Sequence, residues 1–216
     1  MANVPTVGVF MPNFLNACNS PGPTGQQDAY GLNYPSGLNP GKVIELGTGE
    51  AQGLAAPGTS LYDGAYQWVK LDSGATASLA LAGDPAFIKL DSGATQGALP
   101  ETAYQVPTVT TADQAAELGF FCGIFINPAT LNGVAVGPTP GNWCFIFVGA
   151  GRAAVNYGAT VTGGLGGAVI PQIPAGTFES VAAVASVAKQ GISVTVPVAT
   201  TPGLAYYPDI IYRIPN

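Results

Sequence analysis

Asp72 and Asp91 each open the same pentapeptide, Asp-Ser-Gly-Ala-Thr, 19 residues apart in a chain of 216. Two carboxylates held side by side can share one proton, so that one acts as a base while the other acts as an acid. Other residues able to do chemistry are few. There is no histidine, and Cys18, Cys122 and Cys144 are odd in number and lack a Cys-x-x-Cys spacing. Such a set, with neither the number nor the spacing of a four-ligand site, argues against a structural zinc ion. Cys122 and Cys144 lie in apolar runs, where a thiol behaves as a small hydrophobe. The acids Asp28, Glu45, Glu50, Asp63 and Asp84 are scattered and read as solvated surface groups. Calcium at an Asp-Gly turn would lack the spacing of an EF-hand. The expectation is no metal, no cofactor and no catalytic residue.

The repeat resembles the active-site signature of aspartic proteases, and Gly151-Arg152-Ala153 stands where a retropepsin-like enzyme carries a Gly-Arg element. Three features oppose that reading. In a two-lobed protease each aspartate needs its own lobe, and 19 residues cannot build one. In a dimeric protease with one motif per chain, the second copy has no purpose. A helix should follow Gly-Arg, yet Ala153-Ala-Val-Asn-Tyr-Gly158 stops after a few residues. A simpler reading makes each copy, Lys70–Thr76 and Lys89–Thr95, a strand running into a turn. There Asp caps the turn and Gly takes positive φ. Gly149-Ala150-Gly151 also opens like a dinucleotide-binding fingerprint. That motif must begin a helix, which Gly158 and the Gly163–Gly167 run preclude.

Composition limits the function classes further. Charged residues make up 8% of the chain, against about 25% in an ordinary globular domain. The six basic residues form no cluster and the net charge is −6. Duplex binding requires several Lys or Arg contacts to phosphates, so no nucleic-acid partner is expected. No apolar stretch approaches the roughly 20 residues of a membrane span. The first basic residue is Lys42, so no secretory leader is expected, and synthesis in a reducing cytoplasm is the simpler reading. With 47% hydrophobic residues, 30 Gly and 19 Pro, the chain reads as short strands joined by tight turns.

These features place the elements. Residues 1–60 are rich in Pro and Gly but also carry Val7, Val9, Phe10, Phe14 and Leu15. They form either an extended arm lying on another surface or a strand or two of the core domain. Residues 61–216 form the β domain. Thr111, with Gln114 three residues on and Gly119 as a stop, outlines one short helix. Phe120–Asn127 and Trp143–Val148 are apolar on both faces, as strands buried between layers or subunits are. Ile192–Val198 alternates, which implies a strand with one buried face; Pro197 puts it at an edge or against a partner. Residues 179–189 fit a helix or a strand, with the strand preferred. The aromatic tail Tyr206–Tyr212 is too apolar to stay undocked. The expected fold is therefore all-β, a small β-barrel or β-sandwich with an extended N-terminal arm and at most one or two short helices.

The block Gly119-Phe-Phe-Cys-Gly-Ile-Phe-Ile-Asn-Pro-Ala129, followed by Phe147-Val-Gly-Ala-Gly-Arg-Ala-Ala-Val-Asn-Tyr-Gly-Ala-Thr-Val-Thr-Gly-Gly164, resembles the capsid cement, or head decoration, proteins of tailed bacteriophages. The resemblance spans about a third of the chain and rests on strand and turn grammar. It implies a non-enzymatic structural virion protein. Such a protein assembles as a homotrimer, binds the major capsid protein on the outer head surface and stabilises the head against internal DNA pressure. A tail, baseplate or fibre component is the alternative. Expected intersubunit or capsid contacts are Phe10, Met11, Phe14 and Leu15 in the arm, and Tyr206, Tyr207, Ile210 and Ile211 in the tail. Each of these could equally serve as core of its own chain.

Overall fold

A computed structural model describes residues 41–49, 51, 61–89, 108–113, 120–126, 130–131, 134–135, 138–182, 191–212 and 214. The class is all-β, as expected. The strands are β1 (Val43–Leu46), β2 (Gly64–Leu71), β3 (Pro85–Ile88), β4 (Thr108–Thr110), β5 (Phe121–Phe125), β6 (Thr130–Leu131), β7 (Val134–Ala135), β8 (Trp143–Val161), β9 (Ala168–Pro171), β10 (Phe178–Val181), β11 (Gly191–Ser193) and β12 (Pro202–Ile210). Strands β6 and β7 form a small separate hairpin, and the other ten make one sheet.

That sheet closes on itself twice. The pairings run β8–β2–β4–β3–β5 and back to β8, and again β8–β10–β9–β11–β12 and back to β8. The 19-residue β8 therefore serves both circuits: Trp143–Gly149 pairs with β2, and Gly149–Asn156 pairs with β12. The changeover lies at Gly149 and Ala150, both with positive φ (117° and 54°). Register shifts in β2 and β12 fall opposite the same point. Irregularities of this kind turn a strand and re-aim its side chains.

The two apolar faces read for Trp143–Val148 are both filled by this same chain. Cys144, Ile146 and Val148 point into the first circuit with Val69, Leu71, Ala86, Val109 and Cys122. Phe145 and Phe147 point the other way, into a core that continues through the second circuit as Val155, Tyr157, Val169, Phe178, Ala205 and Tyr207. Trp68 stacks on Trp143 (ring centroids 4.2 Å apart), and Phe147 meets Tyr66 and Tyr207 edge to face.

Several expectations are revised. Val43–Leu46, grouped by sequence with the arm, pairs antiparallel with β2, and Ala51 is buried in the core, so the β domain begins before residue 61. Residues 1–40 lie outside the described residues, as do 114–119, which hold most of the expected helix, and 183–190. The described start of that helix, Thr111 and Asp113, is tied to Thr76: Thr76 Oγ1 donates to Asp113 Oδ2 (2.5 Å) and Thr111 Oγ1 donates to Asp113 Oδ1 (2.7 Å).

Candidate interaction surface

Of the sequence motifs, the Asp-Ser-Gly repeat is the one with chemical promise, and the first copy is a turn. Asp72 Oδ2 accepts the Gly74 N–H (3.2 Å) and pairs with Lys89 Nζ (3.2 Å). Lys89 opens the second copy, so the repeat binds itself through an ion pair. Asp91 lies outside the described residues. The Gly149–Arg152 motif opens no helix and forms the bend in β8. There Arg152 Nε and Nη2 reach Asp63 Oδ1 at 2.8 and 2.6 Å, with the Tyr62 ring 6.0 Å from the guanidinium carbon. Cys122 and Cys144 are free and fully buried, and desolvation pushes the Cys144 thiol up to about 12 and Cys122 higher still. Such thiols stay protonated and unreactive at neutral pH. Cys18 lies outside the described residues.

Asp84 departs from the solvated role expected of it. It is 4% exposed. Its Oδ1 accepts from Asn156 Nδ2 (2.8 Å) and its Oδ2 from the Leu81 N–H (3.0 Å). Burial raises its pKa to about 6, against the opposing pull of those two hydrogen bonds.

The largest departure concerns Ile192–Val198. Only Gly191–Ser193 is strand, and the apolar residues face out: Ile192, Val194, Val196 and Val198 are exposed, as is Thr195, while Gly191, Ser193 and Pro197 are buried. The cause is the narrow interior of the second circuit, already occupied by Tyr157 and Tyr207. The Tyr207 ring lies where a Cβ on Gly191 would sit, and the Tyr157 hydroxyl donates to Ser193 Oγ (2.9 Å). Only small residues fit inward, so the branched ones turn outward.

Neighbouring strands extend this surface. Ile192 is paired with Tyr206 across β11 and β12, which places both side chains on one face. Leu165 stands on the adjoining turn, where Gly166 and Gly167 bond to Ser193. Six of the exposed large hydrophobics (Leu165, Ile192, Val194, Val196, Val198 and Tyr206) thus share one region. Charge is sparse in this region: Arg152, in register with Tyr206 and therefore on the same face, is paired with Asp63. Contiguous exposed apolar surface of this kind marks interaction sites.

The tail residues named from sequence divide accordingly. Tyr206 belongs to the exposed face. Tyr207, one residue on, is 1% exposed and packs within its own chain's core, a correction that follows from strand alternation. Ile210 and Ile211 are partly buried against the two cores. Phe10, Met11, Phe14 and Leu15 lie outside the described residues. From sequence Leu165 is not assigned to contact, whereas Ile192–Val198 reads as lying at an edge or against a partner; the small residues between its branched ones are the signal that could have shown which side faces out. Against protein-family models and curated protein sequences, the chain matches none.

Proposed function

We propose that this chain is a non-enzymatic structural protein of a tailed-phage virion, a decoration protein that binds the outer head lattice and stabilises it. The observation that carries this reading is the apolar face of β11, β12 and the adjoining turns, where Arg152 is neutralised by Asp63. A chain of net charge −6 repels its own copies except where an approaching surface carries no charge. The Leu165–Tyr206 region has little net charge, since Arg152 is offset by Asp63, and it supplies the apolar area that obligate interfaces bury. The resemblance of residues 119–164 to cement proteins points the same way. In this reading the face is used for homotrimer assembly and for docking on the major capsid protein. Asp72 is a turn residue neutralised by Lys89, an arrangement that suits scaffolding better than proton sharing.

The test is the copy number of this chain relative to the major shell protein in purified particles. A near-equimolar ratio is expected, together with heads that release DNA at lower temperature when the chain is missing. A handful of copies per particle would transfer the protein to the tail, baseplate or fibre. Absence from the particle would end the virion reading.

A further inference from the structure

Asp84 is the one deeply buried carboxylate among the described residues, and it borders a cavity of about 380 Å³. The cavity lies between the turn that precedes β3 and the second circuit. Its apolar wall includes Leu79, Leu81 and Pro202, and its hydroxyls include Thr177, Thr200 and Thr201. Among the described residues no basic side chain lines it, and Asp84 belongs to neither of their ion pairs. Each carboxylate oxygen accepts one hydrogen bond, which leaves acceptor capacity on both. A buried carboxylate without a counter-ion is costly, and a cation brought within reach relieves that cost.

We propose that this cavity is a socket for an alkyl-linked monocation, an ammonium or guanidinium head on a short methylene stem. The carboxylate of Asp84 would receive the head, the threonine hydroxyls its remaining N–H donors, and the leucine and proline wall the stem. A lysine or arginine side chain on a partner protein has this chemistry, and so does one end of a free polyamine. The elevated pKa of Asp84 is what an empty socket of this design would show, since burial is uncompensated until the cation arrives. The inference goes beyond the structural role proposed above and does not depend on it.

Binding can be read on the full chain alone, so its failure would leave the virion reading standing. Isotope-labelled protein would be titrated at pH 7 with butylguanidinium, with butylammonium and with 1-pentanol as a neutral alkyl control of intermediate size. The expected result is saturable shifts at the Asn156 side-chain amide and at Thr177 and Thr200 with both cations and not with pentanol. The Asp84 carboxyl should then titrate at least one pH unit lower in the presence of the cation. Asp84→Asn should weaken binding at least tenfold. Equal shifts from pentanol, no saturable shift from either cation, or an unmoved Asp84 titration would each overturn the proposal without recourse to the variant. Repeating the titration with an Arg-containing blocked tripeptide and with putrescine distinguishes the sources. Tighter binding of the tripeptide indicates a protein side chain, and tighter binding of putrescine a free polyamine.

Discussion

At Gly151 a Cβ would run into the carbonyl oxygen of Asp63 and the Cα of Gly64. These are backbone atoms that cannot swing aside, so Gly151→Ala should lose about 2–3 kcal/mol in chemical denaturation, the upper part of the range for overpacking. Asp84 offers a prediction with a definite sign. Its folded pKa of about 6 lies above the ordinary carboxylate value, because burial penalises its charge. The folded state therefore holds the proton more tightly than the unfolded one. The resulting stability is fully present below about pH 4 and is lost as pH rises through 6. The loss should be on the order of 2–3 kcal/mol, and Asp84→Asn should flatten it in a series of denaturant titrations between pH 4 and 7. Sequence gave no warning of this residue, for an Asp before a Pro reads as a turn. Only the arrival of Asn156 from β8, 72 positions away, buries it.

Among the elements, β8 was half legible. Its first six residues announced burial on both faces through unbroken hydrophobicity, and both faces are indeed covered. Its continuation to Val161 was hidden by Gly149, Ala150 and Gly151, which look like a stop and are a bend. For Ile192–Val198 the expected strand is cut short, since β11 ends at Ser193, and the branched residues face outward. Alternation fixes which residues share a face, but the space left by Tyr157 and Tyr207 fixes which face turns inward. The outward row gives a clean test. Val196→Asp with Val198→Asp removes no described core contact and should alter unfolding free energy by no more than about 0.5 kcal/mol per site. The same double variant should shift sedimentation towards the monomer. A fully assembled variant would remove the face from the assembly proposal.

At the scale of the molecule, both ends of the described chain are fastened to one buried side chain. Gln67 Nε2 donates to the carbonyl oxygens of Gly41 (3.1 Å) and Ile214 (2.8 Å), and its Oε1 accepts the Ile214 N–H (3.0 Å). Gln67→Leu would strand three buried backbone groups. It should lose about 2–4 kcal/mol, given about 1–3 kcal/mol for each unsatisfied group and some rescue by water. Hydrogen exchange at Ile214 should accelerate in step with that loss. The sequence by itself determined the all-β class, the turn at Asp72 and the pairing of the aromatic tail with the sheet. These follow from composition and local period, which depend on each residue and its near neighbours. Tertiary structure alone decided that the sheet closes into two circuits sharing β8, that Tyr207 points inward while Tyr206 and the valine row point outward, and that Asp84 is enclosed. Those outcomes depend on which distant segments compete for one interior volume, and that competition exists only once the strands have paired.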